Sequence, residues 1–321
     1  MVNPQIDELF LEIAEGMKNE EKHPPFEELK PELARRLYIK ATKYYNAVIE
    51  EQVSMKVEYV KSDDADIPVH VFHPKSANND EKLSCFIFFH GGGWVLPLVE
   101  RDDALCSYIA KQTNSVVVSV DYRLSPEAKY PAPLNDAVNA IKWVFEHADQ
   151  LGVDKHRIVT GGDSVGGNLT TASSLRLRDE GHPMPTGQLL LCPVINYNFD
   201  TVSYSDPKSN LTKDGMKWFW SQYLKNPEDG YGTYTSVLSA ESFEGLPRTF
   251  CATAEHDVLR DEAEAYIKKL QETGIEAKFT RFEGMVHNFV HMSQKVDQAK
   301  VNLDVIVDEL KLLLSPTPVI V

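Results

Sequence analysis

At 321 residues the chain is longer than one average domain, yet within the size that α/β folds reach around a single sheet. A composition of 42% apolar and 25% charged residues describes a globular chain, and a net charge of −15 argues against nucleic acid and anionic membrane surfaces as partners. No apolar run reaches the length of a bilayer span, and Met1-Val2-Asn3-Pro4-Gln5-Ile6-Asp7-Glu8 lacks the basic region and apolar core of a signal peptide.

Residues 1–50 hold two helical stretches, near 4–18 and 26–50, divided by His23-Pro24-Pro25. Strands follow near 53–60 and 67–73, and the polar turn from Lys61 to Asp66 between them predicts an antiparallel hairpin. The strand near 84–89 runs into His90-Gly91-Gly92-Gly93-Trp94. Consecutive glycines let backbone N–H groups turn into a cavity, where they can hold an oxyanion. His90 reads as a residue that shapes this loop and moves no proton. Helices near 102–113, 133–149 and 165–179 then alternate with strands near 116–120, 157–162 and 187–192. Residues 195–230 interrupt the alternation with a polar loop and a helix from Asp214 to Tyr223. Met216, Phe219, Trp220 and Tyr223 share one face of that helix, which suits packing between cap helices as well as the wall of an acyl pocket. Strands near 249–254 and 277–282 and helices near 259–273 and 294–314 complete the chain. Apolar strands alternating with amphipathic helices predict an α/β fold with a mostly parallel, eight-stranded sheet covered on both faces. Cys85, Cys106, Cys192 and Cys251 are dispersed without a C-x-x-C pair, and read as buried free thiols of a reducing cytoplasm.

The motif that carries chemistry is Gly162-Asp163-Ser164-Val165-Gly166, a Gly-x-Ser-x-Gly placed between a strand and a helix. A serine on so sharp a turn has its hydroxyl pushed clear of the sheet, and flanking glycines avoid collision with neighbouring elements. Its partners follow in the order expected of such a turn: Asp257 after the strand near 249–254, then His287 after the strand near 277–282. Asp261 and Glu262 compete with Asp257, but they open the next helix and read as first-turn acids facing its dipole. His291 competes with His287 and reads as a helix-start or surface residue. Ser164 is therefore the candidate nucleophile, His287 the base and Asp257 its orienting acid. Gly91, Gly92, Gly93 and Val165 are the candidate N–H donors to the oxyanion.

These segments together resemble the hormone-sensitive-lipase family of carboxylesterases, a branch of the α/β hydrolases. The matching residues are His90 to Trp94, Asp121 to Glu127 with Tyr130-Pro131-Ala132, the Ser164 turn, Asp257 with Leu259 to Glu262, and His287 with Phe289. The chain departs from the family pattern at Pro97, Val165, Val258 and Asn288, where the family usually has Gly, Ala, Pro and Gly. The resemblance implies a helical cap over Ser164 formed by residues 1–50 and 195–230, on a core of 51–194 and 231–321. It implies an acyl-enzyme mechanism on short-chain esters, with Trp94, Trp218, Phe219 and Trp220 as candidate pocket walls. No metal or organic cofactor is expected. It places the strand at 277–282 on the sheet edge, where a homodimer could form. Two other readings share this framework: an amidase or deacetylase acting on small aryl amides, and a ligand receptor like those for gibberellin. The receptors lack the catalytic histidine, so the presence of His287 favours an enzyme.

Overall fold

A computed structural model describes residues 1–18, 24–62, 64–76 and 82–316. Asp63, His23 and most of the apolar tail from Pro316 to Val321 fall outside the described residues. Eight strands form one sheet in the order β1-β2-β4-β3-β5-β6-β7-β8. They are β1 (Val53–Lys61), β2 (Asp66–Pro74), β3 (Leu83–Phe89), β4 (Val116–Val120), β5 (Val153–Asp163), β6 (Gly187–Leu191), β7 (Arg248–His256) and β8 (Ala277–Val286). The expected hairpin is present: β1 and β2 are antiparallel, as are β2 and β4, and all other neighbours are parallel.

Strand order turns around at β3, which lies between β4 and β5. Such a reversal opens a crevice at the carboxyl ends of the strands, where α/β proteins bind their ligands. Here Phe89 pairs with Gly162, so the glycine loop after β3 emerges beside the serine turn after β5.

The helices are α1 (Pro4–Gly16), α2 (Pro31–Thr42), α3 (Glu100–Thr113), α4 (Ala132–Glu146), α5 (Val165–Asp179), α6 (Lys213–Tyr223), α7 (Arg260–Glu272) and α8 (Asp297–Leu314). Every residue of β3 is buried, and its side chains divide by parity. Cys85, Ile87 and Phe89 join the cluster that includes residues of α4, α5 and α7, while Phe86 and Phe88 join the one holding residues of α1, α3 and α8. This is the two-sided burial of a parallel sheet, and it explains why its central strands read as near-continuous apolar runs.

The stretch expected to be helical from 26 to 50 is broken. A single turn at Phe26–Glu28 gives way to extended Leu29 and Lys30, then α2, then a further turn at Lys43–Tyr45. Pro31 explains the first break, because the residue before a proline is driven out of helical conformation. Phe26 packs against Trp218 and Phe219 of α6 at 5.1 and 5.3 Å between ring centroids. α1 packs elsewhere: Ile6 and Leu9 join Met285, Phe289 and Met292, and Asn3 N–H donates to Gly284 O at 3.0 Å.

Candidate active site

Ser164 has φ 56° and ψ −118°, a left-handed backbone that no preceding strand residue shares. The turn is tight enough that a Cβ at Gly162 or Gly166 would fall on the carbonyl oxygen of Phe89, well inside contact distance. That is the physical need for both flanking glycines. The Ser164 Oγ lies 3.1 Å from His287 Nε2, and the opposite ring nitrogen, Nδ1, lies 2.8 Å from Asp257 Oδ2. Asp257 Oδ1 accepts the Leu259 N–H at 3.0 Å, which fixes the carboxylate. Three residues from the ends of β5, β7 and β8 thus converge, each almost completely buried.

The glycine loop bends beside them, with φ 107° at Gly92 and 64° at Gly93. The N–H groups of Gly92 and Gly93 make no hydrogen bond within the described residues. Val165 opens α5, so its N–H has no acceptor within the helix. Gly91 differs from expectation. Its N–H donates to Asp163 Oδ1 at 2.8 Å and is not free to meet a substrate.

Ser164 and His287 open into a cavity of about 310 Å³, walled also by Gly92, Gly93, Phe219 and Met216. Of the four aromatics expected in this wall, only Phe219 is there. Trp94 stacks on Tyr223 at 4.0 Å and meets Trp220 at 4.6 Å, away from the cavity lining. Trp218 Nε1 donates to Leu29 O at 3.2 Å and holds the N-terminal segment to α6. On one helical face, Phe219 lines the cavity while Trp220 packs on Trp94 and Tyr223, and helical spacing alone does not separate them.

A family model described as the alpha/beta hydrolase fold matches residues 86–291, which include the glycine loop, the serine turn, Asp257 and His287. The chain belongs to the α/β hydrolases of the hormone-sensitive-lipase type. An arylesterase of Saccharolobus solfataricus is 35% identical over 72% of this chain and 75% of its own. The carboxylesterase NlhH of Mycobacterium tuberculosis is 34% identical, over 73% of this chain and 74% of its own. Among solved structures, a thermostable esterase from Pseudomonas putida superposes with a TM-score of 0.89 at 33% identity, covering 98% of each chain. The metagenomic carboxylesterase EstE1 superposes at 0.85 and 37%, covering 90% of this chain and 99% of its own.

The hydrolase also contains polar residues that sequence reasoning misplaced. His291 is completely buried, with Nε2 at 3.4 Å from Asp163 Oδ2 and 3.7 Å from Asp102 Oδ1. It is neither a surface residue nor the start of α8. Asp261 and Glu262 do lie in the first turn of α7, but their carboxylates accept backbone N–H groups of the segment 195–203. Asp261 Oδ2 accepts Ser203 N–H at 2.8 Å, and Glu262 Oε1 accepts Ile195 N–H at 2.7 Å and Asn196 N–H at 3.2 Å. Cys192 leaves β6 with φ 46°, and its thiol lies within 4.8 Å of ligand atoms of Asp257 and His287. That trio and the Asp102, Asp163 and His291 trio are the two groups, among the described residues, whose spacing could hold a metal ion. In the second trio Arg101 lies 3.7 Å from Asp102 and already supplies positive charge.

Burial pushes the Glu262 carboxyl up to about 8, against the lowering effect of its two backbone N–H donors. The folded chain therefore keeps a proton there from about pH 4.5, where the unfolded chain loses it, to about pH 8. Across that window the native state binds more protons, so rising pH removes stability, with no further loss above it. Glu262→Gln keeps an acceptor for Ile195 and Asn196 and cannot ionise. Its melting temperature relative to the wild type should rise between about pH 5 and pH 9, by the equivalent of a few kcal/mol. Thermal melts at both ends of the range test this; parallel curves would show that Glu262 does not titrate in that range.

Proposed function

We propose that the chain is a serine carboxylesterase that hydrolyses short-chain esters through an acyl-enzyme. The observation that carries this reading is the Ser164 Oγ at 3.1 Å from His287 Nε2, with Asp257 at the opposite ring nitrogen. His287 takes the hydroxyl proton as Ser164 attacks the ester carbonyl, and Asp257 stabilises the imidazolium that forms. The free N–H groups of Gly92, Gly93 and Val165 receive the developing oxyanion, each donor contributing roughly 3–4 kcal/mol in the transition state. The tetrahedral intermediate collapses as His287 returns the proton to the departing alcohol. Water, activated by the same histidine, then releases the acid. Gly91 has no part as a donor in this scheme.

The preference for short acyl groups rests on the cavity. About 310 Å³ is at the small end of ligand pockets, and the ring of Phe219 fills the space where a Cβ of Gly93 would stand. In a series of p-nitrophenyl esters, kcat/KM should peak at two to six acyl carbons and fall at least about ten-fold by twelve. A preference for long chains would overturn the size argument. Faster turnover of p-nitroacetanilide than of the matching ester would favour the amidase, and tight ligand binding without turnover would favour the receptor.

A homodimer through β8 belongs to the same reading. β8 is an edge strand, and its two cationic side chains are engaged by neighbouring helices: Lys278 pairs with Glu309 of α8 and Arg281 with Glu264 of α7. They leave the strand's outer backbone unprotected, as an edge-to-edge contact requires. Thr249 N–H donates to Glu276 O, so Glu276, Lys278, Thr280 and Phe282 turn their backbone groups towards β7. Outward N–H groups therefore belong to Phe279 and Arg281, and Thr280→Pro would damage the sheet itself. Phe279→Pro should weaken association at least about ten-fold more than Phe279→Ala, read by light scattering. A wild-type monomer at micromolar concentration would exclude the dimer. Four buried free thiols accord with a reducing cytoplasm as the working compartment, and no described helix is long and apolar enough to cross a membrane.

A further inference from the structure

The mechanism uses Asp163 only as a neighbour of the nucleophile, yet its carboxylate joins three parts of the site. Oδ1 accepts the Gly91 N–H at 2.8 Å, and Oδ2 lies 3.4 Å from His291 Nε2. Asp102 approaches the same nitrogen at 3.7 Å, while its own Oδ2 accepts the Val99 N–H at 3.0 Å. The side chains of His291, Asp163 and Asp102 are 0–1% exposed. Two carboxylates facing one ring nitrogen require that nitrogen to carry its hydrogen. Burial pushes the Asp163 carboxyl up, but the His291 hydrogen bond and the charges of His291, Arg101 and His90 hold it below the usual carboxylate range. Asp163 therefore stays an anion and a strong acceptor for Gly91. The approach is close: a Cβ on Gly91 would fall on Asp163 Oδ2.

The glycine loop is thus tethered at its first N–H while the next two remain free. We propose that His291 is a positioning residue for the oxyanion-binding loop, acting through Asp163 on Gly91; this rests on the reading of Gly92 and Gly93 as oxyanion donors. His291 sits in the Phe289–Met292 turn directly after the base, so one short segment aims His287 and fixes the donors opposite it. Without the His291 donor, Asp163 and Asp102 face each other as like charges, and the loop loses its anchor. Donors displaced in this way weaken the transition state more than the bound ester, because the oxyanion exists only after attack.

The test compares His291→Phe with the wild type on p-nitrophenyl acetate and on a trifluoromethyl ketone inhibitor. Ser164 Oγ adds to the ketone carbon, its proton passes to His287, and the former carbonyl oxygen becomes an oxyanion in the hole. In His291→Phe, kcat should fall about 10- to 100-fold and ketone affinity by a similar factor. KM should stay within about three-fold. His291→Gln, which keeps an N–H donor, should recover most of both losses. Unchanged kinetics, or a fall in kcat with full ketone affinity, would overturn the proposal. Should His291→Phe not fold, His291→Asn, too short to reach Asp163, carries the same expectation. A wild type that neither turns over the ester nor binds the ketone would remove the esterase reading itself, and this inference with it.

Discussion

Replacing Ser164 or His287 with alanine should each lower kcat by about four to six orders of magnitude, and the double variant should lose little more. The two side chains meet at 3.1 Å in one proton transfer, so removing either removes the whole step. On the proposed mechanism, the residual rate over uncatalysed hydrolysis would come from the N–H donors of the glycine loop and α5. Ser164→Ala should still bind ester, since the hydroxyl adds little to ground-state affinity, and an inactive Ser164→Ala with intact ligand binding is the outcome to measure. Independent losses that multiply in the double variant would mean that the two residues do not act as a unit.

Asp257→Asn should lower kcat about 10⁴-fold with little change in KM. An asparagine amide at this position can present an N–H to the ring, which turns the imidazole into the tautomer that cannot accept the Ser164 proton. Asp261→Asn separates the acid's role from its neighbourhood. Asp261 is four residues away, but its Oδ2 accepts Ser203 N–H and does not face His287. Its replacement should leave kcat within about three-fold and act, if at all, through the Ser203 segment. A larger loss in Asp261→Asn than in Asp257→Asn would reverse the assignment of the acid.

Much of the fold was legible because a two-sided parallel sheet leaves a periodic mark. Phe86 to Phe89, Val116 to Val118 and Leu189 to Leu191 are apolar at every position since helices cover both faces. The serine turn and its partners were legible because their chemistry demands particular residue types at strand ends. What escaped were contacts between segments that no local pattern encodes. His291 follows the strand by a few residues and looks like a surface histidine until α3 and β5 close around it. Gly91 is one of three equivalent letters, and only the Asp163 carboxylate distinguishes it. Trp94, Trp218 and Trp220 have the bulk of pocket residues, but the stacking partner Tyr223 and the Leu29 carbonyl hold them away from the cavity lining. Glu262 carries a first-turn signature, and its burial follows only from the path of residues 195–203.

The contacts that define the site are also long in sequence: Ser164 and His287 are 123 residues apart, and Gly91 and Asp163 are 72. No fragment of the chain holds a working subset. Closing loops of that size comes late in folding, after local helices and hairpins have formed. Regain of esterase turnover after dilution from denaturant should therefore trail the recovery of helical circular dichroism and coincide with the last tertiary phase. Enzymatic activity becomes, for this chain, a reporter of complete folding.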